Sequence, residues 1–202
     1  MLEVYPTTLC DKPRELPARV DQMRLRNAGF CVMTGLNRAL AEQLVEASKE
    51  DHIVDSCPGD SIDRFANVEA VGAWLSKGRL ALPLVRKLDS NQLQLAGFGW
   101  TGPETPGDEA PIMPGASITF AIRLYNKALH KHLSFPYTLA ILAANKALHR
   151  NKGIWLDTNS NNLVAINTYE KAGFVYAGEA TTERNGIQQT RLYMVLGKWT
   201  LA

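Results

Sequence analysis

The stretch DTNSNNLVAINTYEKAGFV, residues 157–175, decides how the rest of the chain is read. It opens where a short apolar run, residues 154–157, reads as a strand. It then passes through Asn161 and Asn162, either of which can cap a helix. Ala165, Ile166 and Tyr169 are spaced by one, three and four, which puts them on one helix face. Gly173 supplies a left-handed cap, and Phe174 packs back onto the helix. Capping and packing account fully for Gly173, Phe174, Ala165 and Ile166. They account less well for Tyr169, because a buried phenol needs a partner for its hydroxyl.

Upstream, Ser134 starts a helix whose first turn tolerates Pro136. Tyr137, Ile141, Ala144 and Leu148 form its buried face, and Gly153 is read as its stop. Residues 118–125, ITFAIRLY, alternate cleanly. Ile118, Phe120, Ile122 and Leu124 face one way and Thr119, Ala121 and Arg123 the other, the pattern of a half-buried strand. Two further strands, 80–86 and 92–100, flank the turn-forming Asp89-Ser90-Asn91. Helical periods run through Leu40, Leu44 and Ala47 after an Asn37 cap, and through Phe65, Val68, Val71, Trp74 and Leu75 before Gly78. Residues 29–33 read as a strand. Residues 1–28, with Pro6, Pro13 and Pro17, read as an N-terminal arm holding a short helix near 18–27. At the other end, Asn185-Gly186 between strand-like runs signals a hairpin. Strands and helices are therefore interspersed, which argues for a mixed sheet carrying helices on its faces.

Composition narrows the function. The 202 residues suit one domain of residues 29–202 with the arm before it. Twenty-two basic and 20 acidic residues leave a net charge of +2, too balanced for a dedicated nucleic-acid binder. No apolar run approaches the ~20 residues of a membrane span. The first residues have no basic-then-apolar pattern of a secretory signal. Cys10, Cys31 and Cys57 form no CxxC pair, so a reducing cytoplasm is the expected compartment. One local asymmetry stands out. Residues 110–156 contain no Asp or Glu but hold Arg123, Lys127, Lys131, Lys146, Arg150 and Lys152. Such a one-signed patch suits a small polyanion.

Asn162, Ala165, Ile166, Tyr169, Glu170, Lys171, Gly173 and Phe174 together resemble the N-x-x-A-I-x-x-Y-E-K-x-G-F signature of the GNAT superfamily of acyl-CoA-dependent N-acyltransferases. The order of elements from Gly29 onward fits that superfamily too. The resemblance implies an α/β (α+β) fold: a mixed, mostly antiparallel central sheet of about seven strands, flanked by helices on both faces. It implies acetyl-CoA as co-substrate and an amine as acceptor. The strand around Ile122, Arg123 and Leu124 would splay from the strand 154–157 and admit the pantetheine arm, with a backbone N–H polarising the thioester carbonyl. Tyr169 would donate a proton to the departing thiolate, and Asn162 would serve as a cap or a contact to the cofactor arm.

The superfamily's pyrophosphate loop, Q/R-x-x-G-x-G/A, corresponds here to Lys127, Ala128, Leu129, His130, Lys131, His132, Leu133 and Ser134. Lys127 stands where Gln or Arg is usual, and His130 and His132 stand where glycines let backbone approach phosphate. Lys127, Lys131 and the helix dipole still favour an anion. A zinc reading of His130-x-His132 finds no third ligand nearby, so no metal is expected. The strand 118–125 has no carboxylate to act as base. Glu104, Asp108 and Glu109, in the loop before it, are the candidates for recognising a cationic acceptor, and Asp60 and Asp63 are alternatives.

The sequence thus reads as an N-acetyltransferase moving an acetyl group from acetyl-CoA to an amine of a small molecule or peptide. No nucleic-acid or membrane partner is expected, and a homodimer through an exposed sheet edge is possible. The rival reading is a non-catalytic GNAT-fold CoA sensor or protein-interaction module, favoured by the missing glycines and missing carboxylate.

Overall fold

The alternation over residues 118–125 does what it implies. Ile118 and Phe120 are buried on one face of strand β5 (Ala116–Leu124), against the long helix α5 (Ser134–Leu148) and α6 (Leu163–Lys171). Ala121 packs on the opposite face against Phe65, Phe98 and Trp100, among α2 (Arg38–Ala47), α3 (Asp51–Ser56) and α4 (Val68–Leu75). The structure, a computed structural model, describes residues 8–17, 20–88, 92–148, 152–184 and 187–196. Within them the sheet has eight strands in the order β1-β2-β3-β4-β5-β6-β8-β7. The others are β1 (Arg14–Glu15), β2 (Cys31–Thr34), β3 (Leu80–Lys87), β4 (Leu93–Pro103), β6 (Gly153–Asn159), β7 (Val175–Arg184) and β8 (Ile187–Leu196). Every neighbouring pair is antiparallel except β5 and β6. Helices cover both faces, each over its own apolar layer.

The strand beyond the expected seven is β1, two residues paired with Met33 and Thr34 at the sheet's edge. Residues 14–16 thus pair along β2, the Leu16 N–H donating to the Val32 carbonyl at 3.0 Å. Leu16 is 4% exposed and Leu25, on α1 (Val20–Asn27), is fully buried in the layer beneath α5. Leu16 is buried although Pro13 and Pro17 flank it. Gly153 does not end a helix: it opens β6, where a Cβ would lie 2.8 Å from the Gly115 carbonyl oxygen. Its missing side chain permits that close approach. The turns read at Asp89-Ser90-Asn91 and Asn185-Gly186 lie outside the described residues, but the strands on either side of each pair antiparallel, Lys87 with Leu93 and Arg184 with Ile187. Among the described residues no helix is long and apolar enough to cross a membrane.

Candidate active site

The site begins with a failure of pairing. β5 and β6 are in register only from Ala116↔Gly153 to Thr119↔Trp155, yet β5 runs on to Leu124 and β6 to Asn159. The two strands part beyond Thr119. The Tyr125 N–H bonds to the Ala96 carbonyl, directly opposite in the β4–β5 ladder, so the backbone groups of Thr119, Ala121 and Arg123 also turn toward β4. Those of Ile122 and Leu124 turn into the gap, beyond the last β5–β6 pair. A cavity of about 250 Å³ fills the gap, walled by Ile122 and Leu124, by Asn162, Thr168 and Tyr169 of the α6 segment, and by His52 and Cys57 of the α3 segment.

Asn162 is the helix cap: its Oδ1 accepts from the Ala165 N–H at 3.1 Å, which settles the choice between the two asparagines. At the other end of α6 the Gly173 N–H bonds to the Glu170 carbonyl and the Phe174 N–H to the Tyr169 carbonyl, with Gly173 at φ 94°. This is the Schellman closure that a Gly-hydrophobic pair makes. It fixes Tyr169 between Phe120 and Phe174, with ring centroids 5.9 Å from each. Tyr169 is 6% exposed and lines the cleft. Burial pushes its pKa up to about 12, against the pull of Arg123. The phenol is therefore a proton carrier at neutral pH, not a base.

Residues 127–134 follow the open end of β5. His130 and His132 have φ of 60° and 55°, the left-handed conformation that glycine adopts freely and histidine only at some cost. Both side chains, with those of Lys127 and Lys131, are exposed. The N–H groups of His130, Lys131, His132 and Leu133 donate to no acceptor among the described residues, and α5 begins immediately after. Backbone amides and a helix start suited to an anion are thus in place without the glycines. Leu133 is buried in the core, Ser134 lines the cleft and reaches Thr168 at 3.4 Å between hydroxyls, and Lys127 lines a separate groove beside α2. His130→Gly is expected to change stability by less than ~1 kcal/mol. His130→Val, β-branched and forced to positive φ, is expected to lose ~1–3 kcal/mol. Thermal denaturation compares them, and equal losses would show that the left-handed backbone is not kept.

Arg123 reaches the cleft from the other layer. Its Nε donates to Asp60 Oδ2 at 2.8 Å, a second nitrogen donates to the Ile122 carbonyl at 3.0 Å, and its guanidinium lies 4.9 Å from the Trp100 ring centre. Asp60, 1% exposed, opens a π-helical turn (Asp60–Arg64), and its other oxygen accepts from Arg64 at 2.8 Å. Burial works to lower the Arg123 pKa, but Asp60, with Cys57 and Tyr169 nearby, reverses it and the net shift is upward. Arg123 is therefore a fixed, paired charge behind the strand. Asp63 is exposed.

The acidic loop is not brought to the cleft. Glu104 pairs with Arg79 at 2.5 Å, and Asp108 and Glu109 are exposed. None of the three lines a described cavity. The reason is direction: the loop feeds into β5 at Ala116, the end still paired with β6, whereas the cleft opens at Leu124. Two cleft residues had no signal in the sequence. His52 lies on a helix of six residues, too short for a periodic pattern, and Cys57 follows it. Among the described residues no group of three or more metal-ligating side chains occurs, His130 and His132 included.

This chain shares its fold with solved structures of acetyltransferases. It has the fold of the GNAT superfamily. A spermidine N-acetyltransferase from Vibrio cholerae, in complex with CoA and spermine, matches with a TM-score of 0.64 at 17% identity, over 85% of this chain and 97% of that one. The ribosomal-protein-S5-alanine acetyltransferase from Vibrio fischeri gives 0.66 at 14% identity, over 93% and 97%. An aminoglycoside acetyltransferase in complex with coenzyme A gives 0.59 at 21% identity, over 83% and 95%. Neither a family model nor a curated protein matches the sequence.

Proposed function

We propose that this protein is an N-acetyltransferase that moves an acetyl group from acetyl-CoA to an amine of a small molecule or peptide by direct attack. The observation that carries the reading is the parting of β5 from β6 beyond Thr119, with Tyr169 and the strand backbone that has no β6 neighbour both lining the cleft. Acetyl-CoA supplies an activated acetyl thioester. The amides of His130 to Leu133, with Lys127 and Lys131, would hold its pyrophosphate. The gap-facing N–H groups of Ile122 and Leu124 would hold the pantetheine arm, beside Asn162 and Ser134. An N–H from this part of β5 is the donor for the carbonyl oxygen on which charge develops. Tyr169 holds the proton that the thiolate needs. Much of the acceleration is positioning of two reactants in one cleft. The placement of Glu104, Asp108 and Glu109 gives no support to their recognising the acceptor.

A ligand that binds only the native state stabilises it by about 2.7 kcal/mol at a hundredfold excess over Kd. For a chain of this size that raises Tm by ~5–10 °C. Acetyl-CoA is expected to produce this rise, and Lys127→Glu with Lys131→Glu to abolish it. A full rise in the double variant would remove the anion site from this loop. Transfer to a panel of amines then separates the two readings: binding without transfer to any amine would make the chain a CoA sensor.

A further inference from the structure

Resting on the acetyltransferase reading, we infer that His52 is the general base that removes the proton of the acceptor amine. Its ring Nε2 lies 3.0 Å from the carbonyl oxygen of Leu124, and a carbonyl can only accept, so Nε2 carries a hydrogen. In the neutral ring that leaves the Nδ1 lone pair free to take a proton, and the bond to Leu124 fixes the tautomer. The Leu124 carbonyl is available because β6 has already turned away at this level. The same splay that opens the cleft therefore seats the imidazole in its wall, on the α3 side and across from α6.

The other side chains of the cleft leave this role open. Both oxygens of Asp60 are taken by Arg64 and Arg123. Asp157 Oδ2 accepts from Arg191 at 2.8 Å. Burial pushes the Tyr169 pKa up to about 12, so its phenol keeps its proton at neutral pH. Histidine is the side chain that changes charge between pH 5 and 8. The charged groups around the ring are Glu50, whose Oε2 lies 3.9 Å from Nε2 while it accepts from the Asn126 N–H, and, lining the same cleft, Arg123, paired with Asp60, and Asp157, paired with Arg191. In the step, the amine nitrogen bonds to the thioester carbon, the C–S bond breaks, the nitrogen's proton passes to Nδ1, and the sulfur takes the Tyr169 proton.

His52→Gln tests this, since its side-chain N–H can still donate to Leu124 but has no basic nitrogen. The wild-type to variant ratio of kcat/KM, with one amine at each pH, cancels the amine's own titration. It is expected to climb with pH to about 10²–10⁴ and then level, with acetyl-CoA affinity and Tm unchanged. A ratio near one, or one flat with pH, overturns the base. Long-range proton–nitrogen NMR of the protein without acetyl-CoA, assigned against His52→Gln, is expected to show the Nε2–H tautomer, and an Nδ1–H ring overturns it. No transfer by the wild type at any pH, with the Nε2–H tautomer present, overturns the acetyltransferase reading and the base with it.

Discussion

Tyr169→Phe is expected to lower the single-turnover rate of acetyl transfer by about 10²–10⁴, the usual worth of a positioned acid. The ring stays, and with it the edge contacts to Phe120 and Phe174, so acetyl-CoA affinity and Tm should hold. Only the hydroxyl goes, from a ring that lines the cleft. Because the phenol titrates near pH 12, it is protonated from pH 6 to 9. The wild-type to variant ratio should therefore be flat over that range, in contrast to the climbing ratio expected for His52. Tyr169→Ala should lose rate and also ~3–5 kcal/mol of stability through the cavity left beneath α6. Equal rates for wild type and Tyr169→Phe would reduce Tyr169 to packing.

The two partners in that comparison differ in how legible they were. Tyr169 sits in a run where each neighbour has a local job that spacing reveals: Asn162 caps, Ala165 and Ile166 face inward, Gly173 and Phe174 close the helix. The alternation of Ile118 to Leu124 likewise gave the strand, and the two together carried the fold. The acceptor side was another matter. Glu104, Asp108 and Glu109 were attractive because they precede the cleft strand in sequence, but a strand has two ends, and only tertiary pairing decides which one opens. His52 and Asp60 come from a short helix and a π-helical turn, where no apolar period marks a face. Their roles arise from contacts with residues 72 and 63 positions away, which no local pattern carries. His130 and His132 show a further limit. Residue type alone does not reveal that the backbone there takes the glycine-like conformation with both side chains exposed.

Asp60 carries the second large effect. Its carboxylate is 1% exposed and holds Arg123, itself 16% exposed, together with Arg64. Asp60→Asn keeps the size but removes the charge, leaving the Arg123 guanidinium buried without a counter-ion. Breaking a buried pair from one side costs about 3–5 kcal/mol, more than the pair contributes over an apolar replacement. Urea denaturation at neutral pH should show a loss of that size. Arg64, more exposed, can turn to water and contributes little to it. Asp60→Asn combined with Arg123→Met should recover part of the loss, since no charge is then stranded. The recovery would not extend to function. Arg123 also donates to the Ile122 carbonyl, on the stretch of β5 that has no β6 neighbour, and so steadies the strand edge that faces the cleft. The double variant is therefore expected to be more stable than Asp60→Asn yet to bind acetyl-CoA more weakly than the wild type. A single variant within ~1 kcal/mol of the wild type would mean that water reaches the pair and that the wall of the cleft is held by packing alone.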